Sequence, residues 1–275
     1  GREIRRVPRI LSSPWPLKRD AARALLEAAR LAEREGRRRG PFLEAVIATF
    51  PMLRGPWSEA NVSLVREGLE TGDPQGPARL LLRSLRDGSW LPPGHRAEAD
   101  RLEAFAQREE GFELAATGTP TGATVRFRAA LRTLGPAGAG ADTPGRALLR
   151  GDLHMLVGDE VAAKAAWAAA RAPEGASDPD ALLIKFRRGE LDARRLRETW
   201  PTAQALRNDL AFRLGEAAFS KSWPLPAGDP AKAALQAEAR ARFAECVRST
   251  PAERPDEFPA ALAERRRRVL GEAEK

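Results

Sequence analysis

Short segments with a helical spacing of apolar residues follow one another along this chain, and Gly or Pro ends most of them. The composition agrees with this pattern, because the 275 residues include 52 Ala and 40 Arg but only nine Val, four Ile and no Tyr. Ala, Arg, Leu and Glu favour helices, whereas the pleated surface of a sheet requires β-branched and aromatic residues. The sequence therefore predicts an all-α fold.

The Gly and Pro positions divide the chain into about thirteen predicted helices. We expect Ser58 to be the N-cap of the third. Because the connections are mostly short, successive helices should form antiparallel hairpins, and a long series of hairpins stacks into an α-solenoid. The predicted helices cover about 18–37, 42–50, 58–69, 77–85, 95–116, 122–134, 144–157, 160–171, 179–187, 190–199, 202–221, 230–249 and 257–271.

An internal repeat relates the hairpins in the second half of the chain. A mid-helix Gly lets the partner helix approach closely, the aromatic residue fills the space between the helices, and a Gly in the turn permits a positive φ. A third copy opens at Gly215, continues with Ala239, Phe243 and Cys246, and ends at Pro251. The pairs related by an offset of 40 are Gly111 with Gly151, Gly118 with Gly158, Ala123 with Ala163, Phe127 with Trp167, and Ala130 with Ala170.

At these positions the chain resembles the tetratricopeptide repeat (TPR) proteins, although its spacing of 40 exceeds their usual 34. The resemblance implies a groove lined by the first helix of each hairpin, which holds a peptide or a helix of a partner protein. A Trp beside prolines in a loop is a further candidate contact. The candidate partner-binding residues are Arg108, Phe112, Asp152, Met155, Arg213, Glu216 and Trp223.

The sequence predicts three parts. Residues 1–17 form a basic, proline-rich arm, residues 18–93 form divergent helical hairpins, and residues 94–275 form TPR-like repeats with a C-terminal capping helix. Arg265–Arg268 are consecutive and should face all round that last helix, which favours a solvated end.

The net charge of +8 is concentrated at the N-terminus, because residues 1–40 hold twelve Lys or Arg and only five Asp or Glu. Such a segment could bind phosphates or anionic lipid headgroups. The nearly neutral remainder makes nucleic-acid binding the weaker alternative. The candidate residues for an anionic surface are Arg5, Arg6, Arg9, Arg37, Arg38 and Arg39.

Few side chains suited to catalysis or metal binding are present. Two histidines, His95 and His154, and the single cysteine, Cys246, do not make a metal-binding motif. No Gly-x-Ser-x-Gly elbow and no phosphate-binding loop occur. We therefore expect no catalytic site, no metal and no cofactor, and we expect Cys246 to be a buried small residue.

The sequence thus predicts a non-catalytic protein–protein interaction scaffold or assembly subunit. Two alternatives stay open. One is an accessory subunit of a bacterial membrane or envelope complex, tethered by an N-terminal segment that precedes Gly1 and has been removed. The other is binding of nucleic acid or an anionic surface through the basic arm. The excess of Arg over Lys indicates a source in a GC-rich bacterium. The protein could lie in the bacterial cytoplasm or periplasm, and association with a membrane stays open.

Overall fold

The computed structural model describes residues 15–35, 39–71, 76–88, 91–136, 142–170, 178–201, 204–250 and 259–271. These residues form thirteen helices and no strand, which confirms the all-α prediction. The helices are α1 (Trp15–Arg34), α2 (Gly40–Thr49), α3 (Arg54–Thr71), α4 (Pro77–Asp87), α5 (Pro93–Ala116), α6 (Pro120–Leu134), α7 (Pro144–Leu156), α8 (Glu160–Ala168), α9 (Pro179–Arg187), α10 (Ala193–Thr199), α11 (Gln204–Ser222), α12 (Pro230–Ser249) and α13 (Ala260–Val269).

Two predicted helix starts differ from the structure. α1 begins at Trp15 rather than Lys18, so the last residues of the predicted arm form its first turn. α3 begins at Arg54, and Ser58 is a buried residue inside the helix rather than its N-cap. In both helices a proline lies in the first turn, where the backbone N–H that proline lacks has no intrahelical acceptor. The prolines extend these helices at the N-terminal end.

The chain divides into two compact units, Gly1–Leu69 with Gln75–Leu102 and Glu70–Pro74 with Glu103–Lys275. We call them the N-terminal and C-terminal units. In the N-terminal unit, α1 packs on α2, and apolar residues from α1, α2, α3 and the connection between α2 and α3 form its core. These core residues are Ala22, Leu26, Ala29, Leu43, Val46, Phe50, Leu53 and Ala60.

The C-terminal unit contains three hairpins with the same internal contact. A methyl group added at Gly111 of α5 would lie 2.5 Å from the Phe127 ring of α6, and one at Gly215 of α11 would lie 2.7 Å from the Phe243 ring of α12. A methyl at Gly151 of α7 would overlap the indole of Trp167 on α8. In each hairpin, therefore, the absence of a side chain at the glycine lets the aromatic ring of the second helix pack against the first helix.

The turns of the first two hairpins are also alike. Gly118 and Gly158 both have a φ of +83°. The residue after each turn glycine donates a backbone hydrogen bond to the carbonyl five residues earlier, Thr119 to Leu114 and Asp159 to His154, at 2.8 and 2.9 Å. These are the bonds of a helix C-terminus closed by a left-handed glycine. The offset of 40 found in the sequence is thus an offset between equivalent backbone positions.

Candidate functional site

A network of four charged side chains lies inside the C-terminal unit, and we call it the ion-pair network. Its members are Arg108 and Glu109 of α5, Glu216 of α11 and Arg266 of α13. Between 1% and 6% of each side chain is exposed. Charged residues are almost never buried to this degree unless they are paired.

Each arginine of the network contacts both carboxylates. Arg266 Nε donates to Glu216 Oε1 at 2.5 Å, and its two terminal nitrogens donate to the two oxygens of Glu109 at 2.8 and 2.7 Å. Arg108 donates to Glu109 at 3.0 Å, and its other terminal nitrogen lies 3.1 Å from Glu216 Oε2. The result is a closed arrangement of two positive and two negative groups.

Opposite charges control the ionisation of this network. Burial by itself raises the pKa of Glu216, but the nearby guanidinium groups of Arg266 and Arg108 outweigh it and lower the pKa to about 2. The same balance lowers the pKa of Glu109. For Arg266, burial lowers the pKa, and the two carboxylates overcome this effect and raise it. All three groups are therefore charged at neutral pH.

Aromatic rings surround the network. The guanidinium carbon of Arg266 lies 3.8 Å from the centroid of the Phe112 ring, and that of Arg108 lies 5.0 Å from the Phe105 ring. Phe112 follows Arg108 by one helical turn, so both side chains lie on the same side of α5. The ring faces attract the two guanidinium cations.

Two further ion pairs in the same unit each contain a buried aspartate. Asp152 of α7 pairs with Arg187 of α9 at 3.0 Å, and Asp209 pairs with Arg213 one turn later on α11 at 3.1 Å. Burial raises the pKa of both Asp152 and Asp209, and the arginine partners only partly offset it. α7 and α11 therefore carry these two aspartates inward.

The structure places most of the predicted partner-binding residues in the interior. Arg108, Phe112, Asp152, Met155 and Glu216 are buried. Trp223 is partly exposed and packs on the rings of Phe112, Phe127 and Phe219, with centroid distances of 5.6 to 5.8 Å.

Arg213 retains 35% exposure of its side chain. Among the predicted partner-binding residues, it is the one whose substitution should disturb the core least. The two other side chains of the ion-pair network, Glu109 and Arg266, were not predicted.

The prediction that Arg265–Arg268 form a solvated end of the helix is wrong for Arg266, which is fully buried. Four consecutive helical residues point in four directions, so one of them faces the rest of the protein. A sequence signal for this existed, because Leu262, Arg266 and Leu270 are spaced four residues apart and form one stripe. That stripe is apolar except for the arginine.

Of the residues predicted to bind an anionic surface, the structure describes Arg39 alone. Arg5, Arg6, Arg9, Arg37 and Arg38 lie outside the described residues. Arg39 is buried, and its guanidinium pairs with Glu33 at 2.6 Å and with Glu67 at 3.3 Å. Its charge is therefore matched by two carboxylates of the same unit.

The remaining chemical candidates form no cluster in the part of the chain that the structure describes. His154 Nδ1 lies 3.9 Å from Asp159, and burial lowers the pKa of its imidazole. Cys246 is buried, and burial raises the pKa of its thiol to about 12. Over the described ranges, no group of His, Cys, Asp and Glu side chains is arranged to hold a metal ion. No helix within those ranges combines the length and apolar character required to cross a membrane.

Comparisons with family models, with curated proteins and with solved structures give no match to this chain.

Proposed function

We propose that this protein is a non-catalytic interaction scaffold with a TPR-like α-solenoid, which binds a partner protein or peptide through the first helices of its hairpins. The repeated contact between a first-helix glycine and a second-helix aromatic ring, present at Gly111, Gly151 and Gly215, carries this proposal. Hairpins that share such a contact stack in a regular way.

The proposed groove belongs to α5, α7 and α11. These are the helices that carry the repeat glycines. Their charged side chains at the surface include Arg213 and Lys221 of α11, whereas Arg108, Asp152 and Glu216 are buried and do not line the groove. A surface with fixed charges recognises a partner by matching those charges, which gives specificity more than affinity. We therefore expect a folded partner or a helical segment rather than a free C-terminus.

The test is a pull-down with the full chain as bait, from the organism that encodes it. Arg213→Glu reverses a partly exposed charge on α11, and Arg194→Glu makes the same change on α10, where 87% of the side chain is exposed. We expect a partner that is lost with Arg213→Glu and retained with Arg194→Glu. Loss with both variants, or with neither, would place the interaction elsewhere and contradict the proposed groove.

A second candidate function is binding to an anionic membrane surface through the start of α1. Trp15 and Leu17 are 54% and 56% exposed, and Lys18 Nζ lies 5.8 Å from the Trp15 ring. An exposed indole beside cations is typical of segments that bind at the interface of a bilayer. The excess positive charge of residues 1–40 would add attraction to acidic lipids.

Vesicle sedimentation tests this second candidate. We expect the chain to sediment with vesicles of phosphatidylcholine and phosphatidylglycerol and to stay in solution with phosphatidylcholine alone. Trp15→Ala with Leu17→Ala should weaken binding about tenfold, while Met52→Ala, which removes another exposed apolar side chain of the same unit, should not. Equal binding to both kinds of vesicle would contradict the candidate.

A further inference from the structure

The helix α1 has two apolar faces. One of them packs into the core of the N-terminal unit, and its residues Ala22, Leu26, Ala29 and Ala32 are all buried. The other carries two large side chains, Leu17 and Leu31, that are 56% and 50% exposed. Between them Ala24 is exposed, and the two other alanines are partly exposed. We call this second face the α1 stripe, and its members are Leu17, Ala21, Ala24, Ala28 and Leu31.

The α1 stripe has the spacing of a seam between two helices. Its residues are separated alternately by four and three positions, which is the repeat of the a and d positions in a two-stranded coiled coil. The seam is about 21 Å long at a rise of 1.5 Å per residue. Alanines in its centre let the axis of a second helix approach closely, and the leucine at each end supplies apolar area. The core of the unit uses the other face, so the α1 stripe can pack against a helix of another molecule.

The order of residues along the α1 stripe is the same in both directions. A second copy of α1 that runs antiparallel places its Leu31 beside Leu17 and its Ala24 beside Ala24. The two copies are then related by a two-fold axis near Ala24, and each contributes the same surface. A symmetric homodimer requires this kind of self-complementary surface.

Charged residues along one edge of the α1 stripe favour the antiparallel arrangement. The four exposed residues of this edge alternate in sign and are Asp20, Arg23, Glu27 and Arg30. In an antiparallel pair, Asp20 of one copy lies beside Arg30 of the other, and Arg23 lies beside Glu27 in the same way. A parallel pair would bring each charge beside its own equivalent, which like-charge repulsion disfavours. Arg30 also contacts Glu27 and Glu59 of its own chain, and 52% of its side chain is still exposed to a further carboxylate.

We propose that the α1 stripe binds the α1 stripe of a second copy of this chain, in an antiparallel two-fold dimer. The proposal goes beyond the functions proposed above, because it uses neither the groove of the C-terminal unit nor a membrane. A single pair of helices buries less surface than the roughly 1,600 Å² of a standard interface, and ion pairs at its edge are exposed to solvent. We therefore expect a reversible dimer with a dissociation constant in the micromolar range.

Sedimentation velocity of the full chain, from micromolar to hundreds of micromolar concentration, tests the dimer. Ala24→Glu places two carboxylates where the copies meet and should weaken self-association at least about tenfold. Folding should be preserved, because Ala24 is exposed and glutamate favours a helix. Ala97→Glu is the matched control, since it makes the same substitution at an exposed alanine of α5 in the same unit. A chain that stays monomeric throughout, or an equal effect of the two substitutions, would overturn the proposal.

Disulfide cross-linking tests the direction of the two helices. A disulfide requires Cα atoms within about 7 Å of each other, and the native Cys246 is buried. Ala24→Cys should therefore give a cross-linked dimer with itself. Leu17→Cys should cross-link to Leu31→Cys when the two variants are mixed, and neither should cross-link to itself. Self-linking of Leu17→Cys would indicate parallel helices and contradict the antiparallel dimer.

Other occupants of the α1 stripe would give different results. A chain that stays monomeric, and whose Ala24→Glu variant sediments less with vesicles of phosphatidylcholine and phosphatidylglycerol, would assign the stripe to a membrane. A monomeric chain whose Ala24→Glu variant loses a pull-down partner would assign it to another protein. Either result overturns the dimer. A dimer without any retained pull-down partner would instead overturn the proposed scaffold function and leave this proposal in place.

Discussion

Arg266 and Phe112 are in direct contact, with the guanidinium carbon of the arginine 3.8 Å from the centroid of the phenylalanine ring. They belong to α13 and α5, which the sequence separates by more than a hundred residues. The contact holds α13 on the first hairpin of the C-terminal unit. It also brings Arg266 within hydrogen-bonding distance of Glu109 and Glu216.

Removal of the Arg266 side chain should be strongly destabilising. Arg266→Ala leaves Glu109 and Glu216 buried with Arg108 as their shared partner, and breaking a buried pair in this way costs about 3–5 kcal/mol. Arg268→Ala on the exposed side of α13 should change the free energy of unfolding by less than about 0.5 kcal/mol. Urea unfolding measures both, and similar values for the two variants would contradict the role given to the network.

The network should also make stability depend on acidity. The pKa of Glu216 is about 2 in the folded protein and returns to its ordinary value of 4.5 on unfolding, and the pKa of Glu109 is likewise lowered in the fold. Between pH 4.5 and 2 the unfolded chain therefore binds more protons at these groups. Their stabilisation is complete above pH 4.5 and is lost as the pH falls through this window.

Glu216→Gln isolates the contribution of one carboxylate. The decrease in the free energy of unfolding between pH 4.5 and 2 should become shallower by up to about 1.4 kcal/mol per pH unit. Asp152 and Asp209, whose pKa values burial raises, act in the opposite direction. The charge of Glu216 adds to the raised pKa of Asp152, so Glu216→Gln lowers that pKa as well, whereas it does not act on Asp209. Urea unfolding at several pH values measures the slope, and an unchanged slope would contradict the lowered pKa of Glu216.

The glycines of the repeat should tolerate no side chain. Gly151→Ala places a methyl group where the Trp167 indole lies, so the indole must move, at a cost of about 1–3 kcal/mol. Gly94→Ala is the matched control, because nothing lies within 4 Å of the added methyl and alanine favours a helix. Thermal unfolding should show a lower melting temperature for Gly151→Ala only. An unchanged melting temperature for Gly151→Ala would contradict the close approach of α7 and α8.

Cys246 should be unreactive in the folded protein. Burial raises the pKa of its thiol to about 12, so almost none of it is thiolate at pH 8. Val161→Cys places a second thiol at a position whose native side chain is 82% exposed. With a disulfide reagent at pH 8, the thiol at position 161 should react rapidly and Cys246 only after urea is added. Equal rates without urea would contradict the burial of Cys246.

The hairpins could be predicted from sequence because their determinants are close together along the chain. Gly111 and Phe127 belong to successive helices, and so do Gly151 and Trp167. The turn glycines Gly118 and Gly158 fix the connections. The spacing of residues, the turn glycines and the helix propensities all act within one hairpin, so they can be recognised in a single sequence.

The burial of charge could not be predicted in the same way. Arg265 to Arg268 are chemically identical. The apolar stripe that contains Arg266 indicates which of them faces the core, but only the packing of α13 supplies the carboxylates that pair with it. Glu109 and Glu110 present the same choice on α5, where Glu109 is buried and Glu110 stays partly exposed. A charged residue is expected at the surface until a partner of opposite charge is known to lie beside it.

The sequence by itself determined the helical class, the thirteen helices of the described residues and the repeated glycine–aromatic hairpins, because these depend on residues within one or two helices of each other. The tertiary structure decided the ion-pair network. Arg266 is 157 residues from Glu109 and 50 from Glu216 along the chain. These ion pairs form only when distant helices bring the charges together, and the sequence of any one of those helices does not predict that contact.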